Sequence, residues 1–376
     1  MIVKKLSDRK RGPDPAEEAA AGTSAFAAQT PTFEAQPSTF EARTSTFVDQ
    51  TPTSEARTPT FVAQTSTFEA RTSTFVAIGN FDGMHKGHVT LIETMLQAAR
   101  EAGVPGVVFT FENYVRPSSP QLIGPRERDR LLSELGVDLL ILGDFDDLRD
   151  LSPEEFVDSV LFEKCRCSRV FCGYNFRFGR GASADAETLR ALMQARGGDG
   201  VILPPVTADG VPVSSTQIRN FITNGDVEAA NRLLLRPFSV TAQIRRGKQL
   251  GRRLGMPTIN QSIPEDRVIP RFGVYAAVVE MDGVTYPAVS NVGIRPTVDD
   301  GDTITLESHL FGFSEDAYGK TAATALFKFL RPETKFDGAE ALRRQVEKDK
   351  LAAMQYLLKK RGFDPKKLQK TKEDEP

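Results

Sequence analysis

Two different periods of apolar residues divide the chain near residue 237. Before that point, short continuous apolar runs alternate with stretches in which apolar residues recur at helical spacing, as Val89, Ile92 and Leu96 do. After Phe238, apolar residues recur at every second position, with one helical stretch near the end. The first pattern predicts a parallel sheet with helical crossovers, and the second predicts a small antiparallel barrel or sandwich. The predicted fold class is therefore α/β plus β, in two domains of residues 75–236 and 237–358.

The same patterns predict the individual elements. In the first domain they predict strands at 75–78, 106–111, 137–142, 169–172 and 201–204 and helices that begin near 89, 126, 153, 184, 215 and 226. In the second domain they predict strands at 239–244, 274–279, 284–289, 303–311 and 325–330, and a closing helix at about 339–358. The dipeptide Asp282-Gly283 predicts a hairpin turn between two of these strands.

A seven-residue unit repeats between Thr23 and Arg71, with variants of Thr-Pro-Thr-Phe-Glu-Ala-Gln. Each unit has one large apolar residue and often a proline, whereas a coiled coil needs two apolar positions per heptad and no proline. We therefore predict that residues 1–74 form a disordered extension, which arose by tandem duplication beside the first strand. A transit peptide is the alternative, but acidic residues such as Glu34 disfavour it. The charged segment 359–376 is predicted to be a mobile tail.

Composition narrows the class of protein. The formal net charge of −2 disfavours a general nucleic-acid binder, which would normally be basic. Three clustered cysteines, Cys165, Cys167 and Cys172, are better explained as buried thiols in a reducing compartment than as a disulfide framework. No apolar run approaches the ~18 residues that would span a bilayer. We expect a cytoplasmic protein, monomeric or a weak homo-oligomer, with small-molecule rather than nucleic-acid or membrane partners.

The first chemical candidate is the stretch from Phe75 to His88, which has the pattern of strand, glycine turn and helix. This geometry presents backbone N–H groups and the positive end of a helix to phosphate. His85 and His88 lie at the helix entrance, where two imidazoles can donate hydrogen bonds to a polyphosphate leaving group. The alternatives are two zinc ligands, for which no third ligand is nearby, and an ordinary helix start. The stretch favours nucleotidyl transfer.

A second helix start, at Ser214-Ser215-Thr216-Gln217-Ile218-Arg219, offers two hydroxyl groups, free N–H groups and an arginine one turn on. These groups could form a second phosphate-binding site. The alternative is a plain serine N-cap with a solvated arginine.

The second domain has its own candidates. Residues 247–260 are glycine-rich and basic, which is typical of a phosphate-binding loop, and Thr258 and Asn260 offer neutral oxygens that suit Mg²⁺ with ATP. Glu307 and His309 are two residues apart on a predicted strand and so face the same way. A carboxylate there could take the proton from a hydroxyl that attacks a γ-phosphate. The alternative is a surface glutamate opposite a buried Leu306.

Taken together, these motifs resemble the bacterial bifunctional riboflavin kinase/FAD synthetase family, over about Phe75 to Leu358. The motifs that carry the resemblance are Gly79-Asn80-Phe81-Asp82-Gly83, His85-Lys86-Gly87-His88, Gly173-Tyr174-Asn175-Phe176-Arg177-Phe178-Gly179, Ser214-Ser215-Thr216-Gln217-Ile218-Arg219, Gly255-Met256-Pro257-Thr258-Ile259-Asn260, Gly273-Val274-Tyr275-Ala276, Asn291-Val292-Gly293-Ile294-Arg295-Pro296-Thr297 and Glu307-Ser308-His309-Leu310. The resemblance implies a Rossmann-like nucleotidyltransferase domain followed by a β-barrel riboflavin kinase domain with a C-terminal helix.

The resemblance also implies two activities and their residues. The barrel would phosphorylate riboflavin to FMN with Mg²⁺ and ATP, and the first domain would adenylylate FMN to FAD with release of pyrophosphate. The implied catalytic residues are Glu307, His85 and His88. The implied nucleotide-binding residues are Gly79, Asn80, Phe81, Asp82, Ser215, Thr216, Arg219, Gly251, Thr258 and Asn260. The implied flavin-binding residues are Asn175, Phe176, Arg295 and Arg331, and the implied Mg²⁺ ligands are Thr258 and Asn260.

One segment and two single residues depart from the family pattern. Where the family has an acidic residue and then Pro-His-Pro, this chain has Glu112-Asn113-Tyr114-Val115. Gln217 replaces a usual arginine, and Met256 replaces a usual phenylalanine of similar volume. The first two changes lead to one alternative hypothesis, a riboflavin kinase with a weakened or scaffold-only first domain. A separate alternative is a non-catalytic flavin sensor with the repeat as a partner-binding arm, which the intact His85, His88, Thr258, Asn260 and Glu307 disfavour.

Overall fold

In the computed structural model, which describes residues 1–5, 73–112, 119–246, 257–296 and 302–361, the first domain is built on one parallel sheet. Its elements in chain order are β1 (Ile2–Lys5), β2 (Thr74–Ile78), α1 (Lys86–Ala102), β3 (Gly106–Phe111), α2 (Pro125–Glu134), β4 (Leu139–Gly143), α3 (Phe145–Leu148), α4 (Pro153–Glu155), β5 (Cys167–Gly173), β6 (Arg177–Phe178), β7 (Ala184–Asp185), α5 (Ala186–Gln194), β8 (Asp199–Leu203), β9 (Thr207–Ala208), β10 (Val211–Pro212), α6 (Ser215–Asn224) and α7 (Val227–Leu234).

The sheet has six strands in the order β1-β4-β3-β2-β5-β8, and every neighbouring pair is parallel. The predicted parallel sheet is therefore confirmed. All five residues of β2 are buried, because helices cover both faces of a parallel sheet. The chain runs outward from β2 in both directions, through β3 on one side and later through β5 on the other. The carboxyl end of β2 is thus the point of the sheet where ligands bind in such folds.

Strand β1 corrects the prediction that residues 1–74 as a whole are disordered. Ile2–Lys5 pairs in parallel with β4 and forms the edge of the sheet. A four-residue strand has too few positions to show a period, and here the hydrogen bonds to β4 supply what the local pattern does not. The repeat, which lies outside the described residues, consequently falls in the chain between two strands of one sheet.

The predicted helix from residue 153 begins with the predicted capping box, in which Ser152 and Glu155 bond reciprocally. After α4 the helix widens into a π-helical segment, Phe156–Lys164, which ends with the bond from Cys165 N–H to the Val160 carbonyl at 2.9 Å. The wider turn buries Phe156, Val157, Val160 and Leu161 together against the sheet.

The second domain is a closed antiparallel barrel, as predicted. Its elements are β11 (Phe238–Arg245), β12 (Ile259–Ser262), β13 (Gly273–Met281), β14 (Val284–Pro296), β15 (Asp302–Leu310), β16 (Thr321–Arg331) and the C-terminal helix α8 (Ala339–Arg361). The barrel order is β11-β12-β15-β14-β13-β16. The predicted hairpin turn is confirmed, with φ of 53° at Asp282 and 76° at Gly283. Strand β12 was not predicted, because its residues read as the end of the glycine-rich loop.

The barrel interior is continuous with part of the first domain. One apolar cluster contains barrel residues such as Tyr275 and Leu306 together with Ile218 and Ile222 of α6, and Leu122. A separate cluster on the outer face of the barrel lies under α8. Residues of α6 and α7 thus pack into the same apolar cluster as the barrel interior. Among the described residues, no helix has the length and apolar character needed to cross a membrane.

Candidate active sites

The turn between β2 and α1 has an unusual backbone. Phe81 and Met84 have φ of 50° and 41°, and Gly83 between them has φ of 87°. Non-glycine residues adopt this left-handed region rarely, and only where surrounding contacts hold them there. A Cβ on Gly83 would lie 2.7 Å from the Leu122 side chain, so glycine is required at that position. The turn is thus strained, and its shape depends on its neighbours.

Asp82 is one of the groups that hold this turn. Its buried carboxylate accepts hydrogen bonds from the N–H of Leu122 at 2.9 Å and of Ile123 at 3.4 Å. The Arg219 guanidinium contacts the other carboxylate oxygen at 2.5 Å, and the Ser215 hydroxyl donates to the Asp82 carbonyl at 2.9 Å. Burial raises the pKa of Asp82, and the Arg219 charge and the two N–H groups oppose that rise. The Asp82 carboxylate therefore helps to hold the turn against the 122–123 segment and α6.

The N-terminus of α6, the second predicted helix start, lies beside the same turn. Ser214 caps α6 by accepting from the Gln217 N–H, and Thr216 is exposed at its first turn. Arg219 donates to the Pro120 carbonyl at 2.6 Å as well as to Asp82, so its guanidinium already has protein partners. Of the predicted phosphate ligands here, Thr216 has the most accessible side chain.

His85 and His88 form a stacked pair at the N-terminus of α1. Their ring centroids are 3.6 Å apart with an interplanar angle of 17°, and the Phe81 ring meets His88 edge-on at 5.4 Å. His85 Nδ1 accepts from the His88 N–H at 3.3 Å and so caps the helix. A Cβ on Gly87 would lie 3.3 Å from the His85 ring, so the glycine permits this approach. His88 Nδ1 is buried without a hydrogen-bond partner among the described residues.

The two imidazoles are neutral near pH 7. Burial lowers the pKa of His85 to about 4, and burial with the neighbouring His85 lowers the pKa of His88 well below its ordinary value. Because Nδ1 of His85 is an acceptor, the proton of the neutral ring lies on Nε2. His85 can therefore donate a hydrogen bond from Nε2 to a bound anion.

We expect His85 to make stability depend on pH. Its pKa is about 4 in the folded protein and 6.5 ordinarily, so the unfolded chain binds the additional proton between these values. Stability is present above about pH 6.5 and is lost as the pH falls, by roughly 2 kcal/mol at about pH 5. The variant His85→Asn, which retains a capping side chain, should lose less stability between pH values of about 7 and 5 than the unmodified protein. Urea unfolding at both values measures this, and equal losses would contradict it.

Residues after β5 lie at the same edge of the sheet. Asn175 and Tyr174 are exposed there, and Phe176 stacks on Phe178 with centroids 5.8 Å apart. Asn80 is exposed after β2, with its carbonyl accepting from the Thr110 hydroxyl at 3.3 Å. The predicted flavin residues and the histidine turn are thus at neighbouring strand ends.

The alternative of a zinc site gains no support. Among the described ranges, no group of three His, Cys, Asp or Glu side chains is placed to hold a metal ion. The predicted buried thiols are confirmed: Cys165, Cys167 and Cys172 are free and buried. Burial raises the pKa of Cys165 and of Cys172 to about 12, so these thiols stay protonated.

In the barrel, three polar residues form a row across neighbouring strands. Asn260 of β12 lies opposite Glu307 of β15, which lies opposite Asn291 of β14. Leu306 belongs to the interior cluster, so by alternation Glu307 is on the outer face of the wall. His309 shares that face, and its Nδ1 is 2.9 Å from the Pro257 carbonyl. The strand register thus brings Glu307 beside Asn260, as the family resemblance implied.

Thr258 and Asn260 line a cavity of about 220 Å³ at one end of the barrel. Phe313 and Tyr318 line it as well, so the cavity has both polar and aromatic walls. Asn260 is buried, and its Oδ1 has no hydrogen-bond partner among the described groups. A buried carbonyl oxygen without a partner suits a hard cation such as Mg²⁺. The residues present therefore fit the metal that the sequence predicted.

Arg331 at the end of β16 and Glu333 just after it complete this region. Glu333, which the sequence did not suggest, accepts from Asn291 Nδ2 at 2.9 Å. A Cβ on Gly293 would overlap the Glu333 carboxylate, so glycine makes room for it. Arg331, predicted to bind flavin, makes contacts of 2.7 to 3.0 Å with Asp349, which tie β16 to α8.

Some predicted residues cannot be placed. Gly251, Met256 and residues 113–118 lie outside the described residues, and for Arg295 only the backbone, in β14, is described. Glu112 forms an ion pair with Lys5 at the carboxyl ends of β3 and β1.

Comparison with known proteins places each half in a family. Residues 67–217 match the family described as FAD synthetase, and residues 234–357 match the family described as riboflavin kinase. The bifunctional riboflavin kinase/FMN adenylyltransferase of Pseudomonas fluorescens is 35% identical over 282 residues, covering 73% of this chain and 90% of that protein. The proteins of the same name from Bacillus subtilis and Escherichia coli K12 are each 32% identical, covering 75% of this chain and 92% of theirs.

Among solved structures, the chain is similar to one described as a macrolide-efflux protein from Streptococcus pneumoniae. The TM-score is 0.69 at 31% identity, and the match covers 76% of this chain and 95% of that one. A match of that length includes both the parallel-sheet domain and the barrel.

Proposed function

The chain belongs to the family of bifunctional riboflavin kinase/FMN adenylyltransferases, and from this premise we propose which residues carry each reaction. It phosphorylates riboflavin to FMN with ATP, and it adenylylates FMN to FAD with release of pyrophosphate. The barrel corresponds to the kinase and the parallel-sheet domain to the adenylyltransferase. The observation that carries the residue assignments is that each domain has its predicted polar groups at one edge: the histidine pair in the first, and the Asn260–Glu307 pair in the second.

For adenylyl transfer, we place the ATP phosphates at the N-terminus of α1. An FMN phosphate oxygen attacks the α-phosphorus of ATP, the bond to the bridging oxygen breaks, and pyrophosphate leaves. Negative charge grows on the leaving oxygens, where His85 Nε2–H, His88 and the first N–H groups of α1 can stabilise it. Neutral rings are suited to this role, because each can donate a hydrogen bond while its protonation state stays the same.

The α6 start supports the same site from a second direction. We propose that the Thr216 hydroxyl and the free N–H groups of α6 contact phosphate. Ser215 and Arg219 keep α6 fixed to the Asp82 carbonyl and carboxylate, so their role is to position the helix as well as to add charge.

We also propose flavin contacts in both domains. These are Asn175 and Phe176 in the first domain, and Arg295 and Arg331 in the barrel.

For riboflavin phosphorylation, we propose Glu307 as the general base. Its carboxylate takes the proton from the terminal ribityl hydroxyl as that oxygen attacks the γ-phosphorus, and ADP leaves. Mg²⁺, when bound by Thr258 and the unpartnered Asn260 Oδ1, supplies charge neutralisation for the ATP phosphates. The aromatic part of the cavity, with Phe313 and Tyr318, can hold a nucleotide base beside these oxygens.

We expect Asn260→Ala to weaken the use of Mg²⁺ in riboflavin phosphorylation and to leave FAD formation unchanged. Removing a buried ligand oxygen should raise the Mg²⁺ concentration for half-maximal FMN formation by ~10-fold or more. Titration of Mg²⁺ with riboflavin and ATP measures this, with FAD formation from added FMN followed in parallel. Thr241→Ala, at an exposed position of the neighbouring β11, is the matched control. An unchanged Mg²⁺ requirement would remove Asn260 from the metal site.

The alternative of a kinase with weakened adenylyl transfer rests on the replacement of Pro-His-Pro after Glu112. Incubation of the protein with FMN and ATP, followed by chromatography, tests it directly: we expect FAD and pyrophosphate, and unchanged FMN would favour the alternative.

We extend the proposal to the setting of the enzyme. A cytoplasmic location, as a monomer or weak homo-oligomer without nucleic-acid partners, is supported by the net charge of −2 and the free thiols of the described residues.

A further inference from the structure

Arg236, at the boundary between the domains, contacts the strained turn directly. Its Nη1 donates to the carbonyls of Gly83 at 2.9 Å and Met84 at 3.3 Å, and to that of Leu234 at 3.1 Å. Its Nε lies 3.4 Å from the Glu127 carboxylate, and both side chains are largely buried. Arg236 is two residues before β11 and falls within the riboflavin kinase match. A residue of the kinase segment thus holds the main chain immediately before His85.

These carbonyls need such a partner. Gly83 and Met84 are buried residues of the turn between β2 and α1, outside both elements, and buried main-chain carbonyls require hydrogen-bond donors. The turn must keep this shape for His85 to cap α1 and stack on His88. Loss of this donor would leave the two carbonyls without the Arg236 hydrogen bonds and would favour relaxation of the turn toward ordinary φ values.

A second arginine of the kinase half supports the opposite side of the turn. The buried Arg267 donates to the Leu122 carbonyl at 2.8 Å and to the Ser239 carbonyl at 3.2 Å. The same segment is joined to the barrel by hydrogen bonds from Gln121 N–H to Asp266 at 2.6 Å and from Val268 N–H to Gln121 at 2.9 Å. Because the Leu122 N–H binds Asp82, this barrel loop sets the position of the Asp82 carboxylate.

We propose that Arg236 is a positioning residue for adenylyl transfer, acting through the Gly83 and Met84 carbonyls on the histidine pair, and that Arg267 does the same through Leu122 and Asp82. The proposal rests on the assignment of His85 and His88 to the adenylyltransferase site. It makes the kinase half part of that site, although neither arginine takes part in riboflavin phosphorylation.

The test uses the full chain with Arg236→Ala, and Arg232→Ala as the matched control. Arg232 is exposed on α7 four residues earlier. A misplaced turn should lower kcat for FAD formation from FMN by ~30- to 100-fold, with KM for FMN changed by less than ~3-fold. FMN formation from riboflavin should stay within ~2-fold of the unmodified protein in both variants. Added guanidinium ion should restore at least ~10-fold of the lost kcat in Arg236→Ala and have no such effect on Arg232→Ala.

Two further variants keep the proposal testable if Arg236→Ala fails to fold. Glu127→Gln removes the charge that anchors Arg236, and Arg267→Met removes the second support; each should give the same selective loss of kcat for FAD formation. His88→Ala distinguishes an error in the site assignment from an error in the positioning role. If His88→Ala leaves adenylyl transfer intact, the site assignment is wrong. If His88→Ala abolishes it but the Arg236 and Arg267 variants retain full kcat, or lose both activities equally, the positioning role is wrong.

Discussion

Replacing Glu307 with glutamine should lower the rate of FMN formation by about 10²- to 10⁴-fold and leave FAD formation from added FMN unchanged. Glutamine has the shape of glutamate but cannot accept the ribityl proton, so the variant loses the base and little else. The effect should be confined to one reaction because Glu307 lies on the barrel wall, opposite Asn260 and Asn291, while the proposed site of FAD formation is at the edge of the parallel sheet.

The measurement is the initial rate of each reaction, with products separated by chromatography. Glu280→Gln is the matched control, because Glu280 is an exposed glutamate on another strand of the same barrel. If Glu307→Gln retained the rate of the control, the base would have to be another group, and Glu333 would be the first to examine because it bonds Asn291, the neighbour of Glu307.

Replacing His88 or His85 with alanine should have the opposite selectivity. Each imidazole that donates to the leaving pyrophosphate is expected to contribute about 10²- to 10³-fold to kcat for FAD formation, the range for one preorganised donor at a developing charge. His85 also caps α1 and stacks on His88, so its loss should disturb both rings. FMN formation should be unaffected by either change.

His309→Ala controls for the loss of a histidine as such, because His309 lies in the barrel and should not affect FAD formation from FMN. The double variant of His85 and His88 should lose less than the product of the single effects, since the two stacked rings act together. Retention of normal FAD formation by both single variants would show that the phosphates bind elsewhere.

Much of this arrangement could be predicted from local sequence. The capping box at Ser152 and the hairpin turn at Asp282-Gly283 each depend on residues within a few positions of one another, and both are present. The first helix was predicted to begin near Val89 and begins at Lys86, with His85 as its N-cap. The proximity of Asn260 and Glu307 was implied only by the family resemblance, because Asn260 was assigned to a loop; the register of β12 with β15 shows that they are neighbours.

What could not be predicted depends on distant contacts. Strand β1 forms because it pairs with the edge strand β4, and nothing within the four residues of β1 indicates that pairing. The engagement of Arg219 by Asp82, and of Arg331 by Asp349, changes what these arginines are free to bind, and each pair joins different elements. Arg236 carried no motif signal, because the two turn carbonyls that it binds belong to Gly83 and Met84, more than 150 positions away in the chain.

We propose that one chain carries two separate sites, with Glu307 in one and His88 in the other. The most direct measurement is the flavin product formed from riboflavin, ATP and Mg²⁺ by Glu307→Gln, by His88→Ala, and by the two variants mixed. We predict unchanged riboflavin for the first, FMN alone for the second and FAD for the mixture, because FMN made by one protein can be used by the other. FAD in quantity from either variant alone, or none from the mixture, would contradict the account.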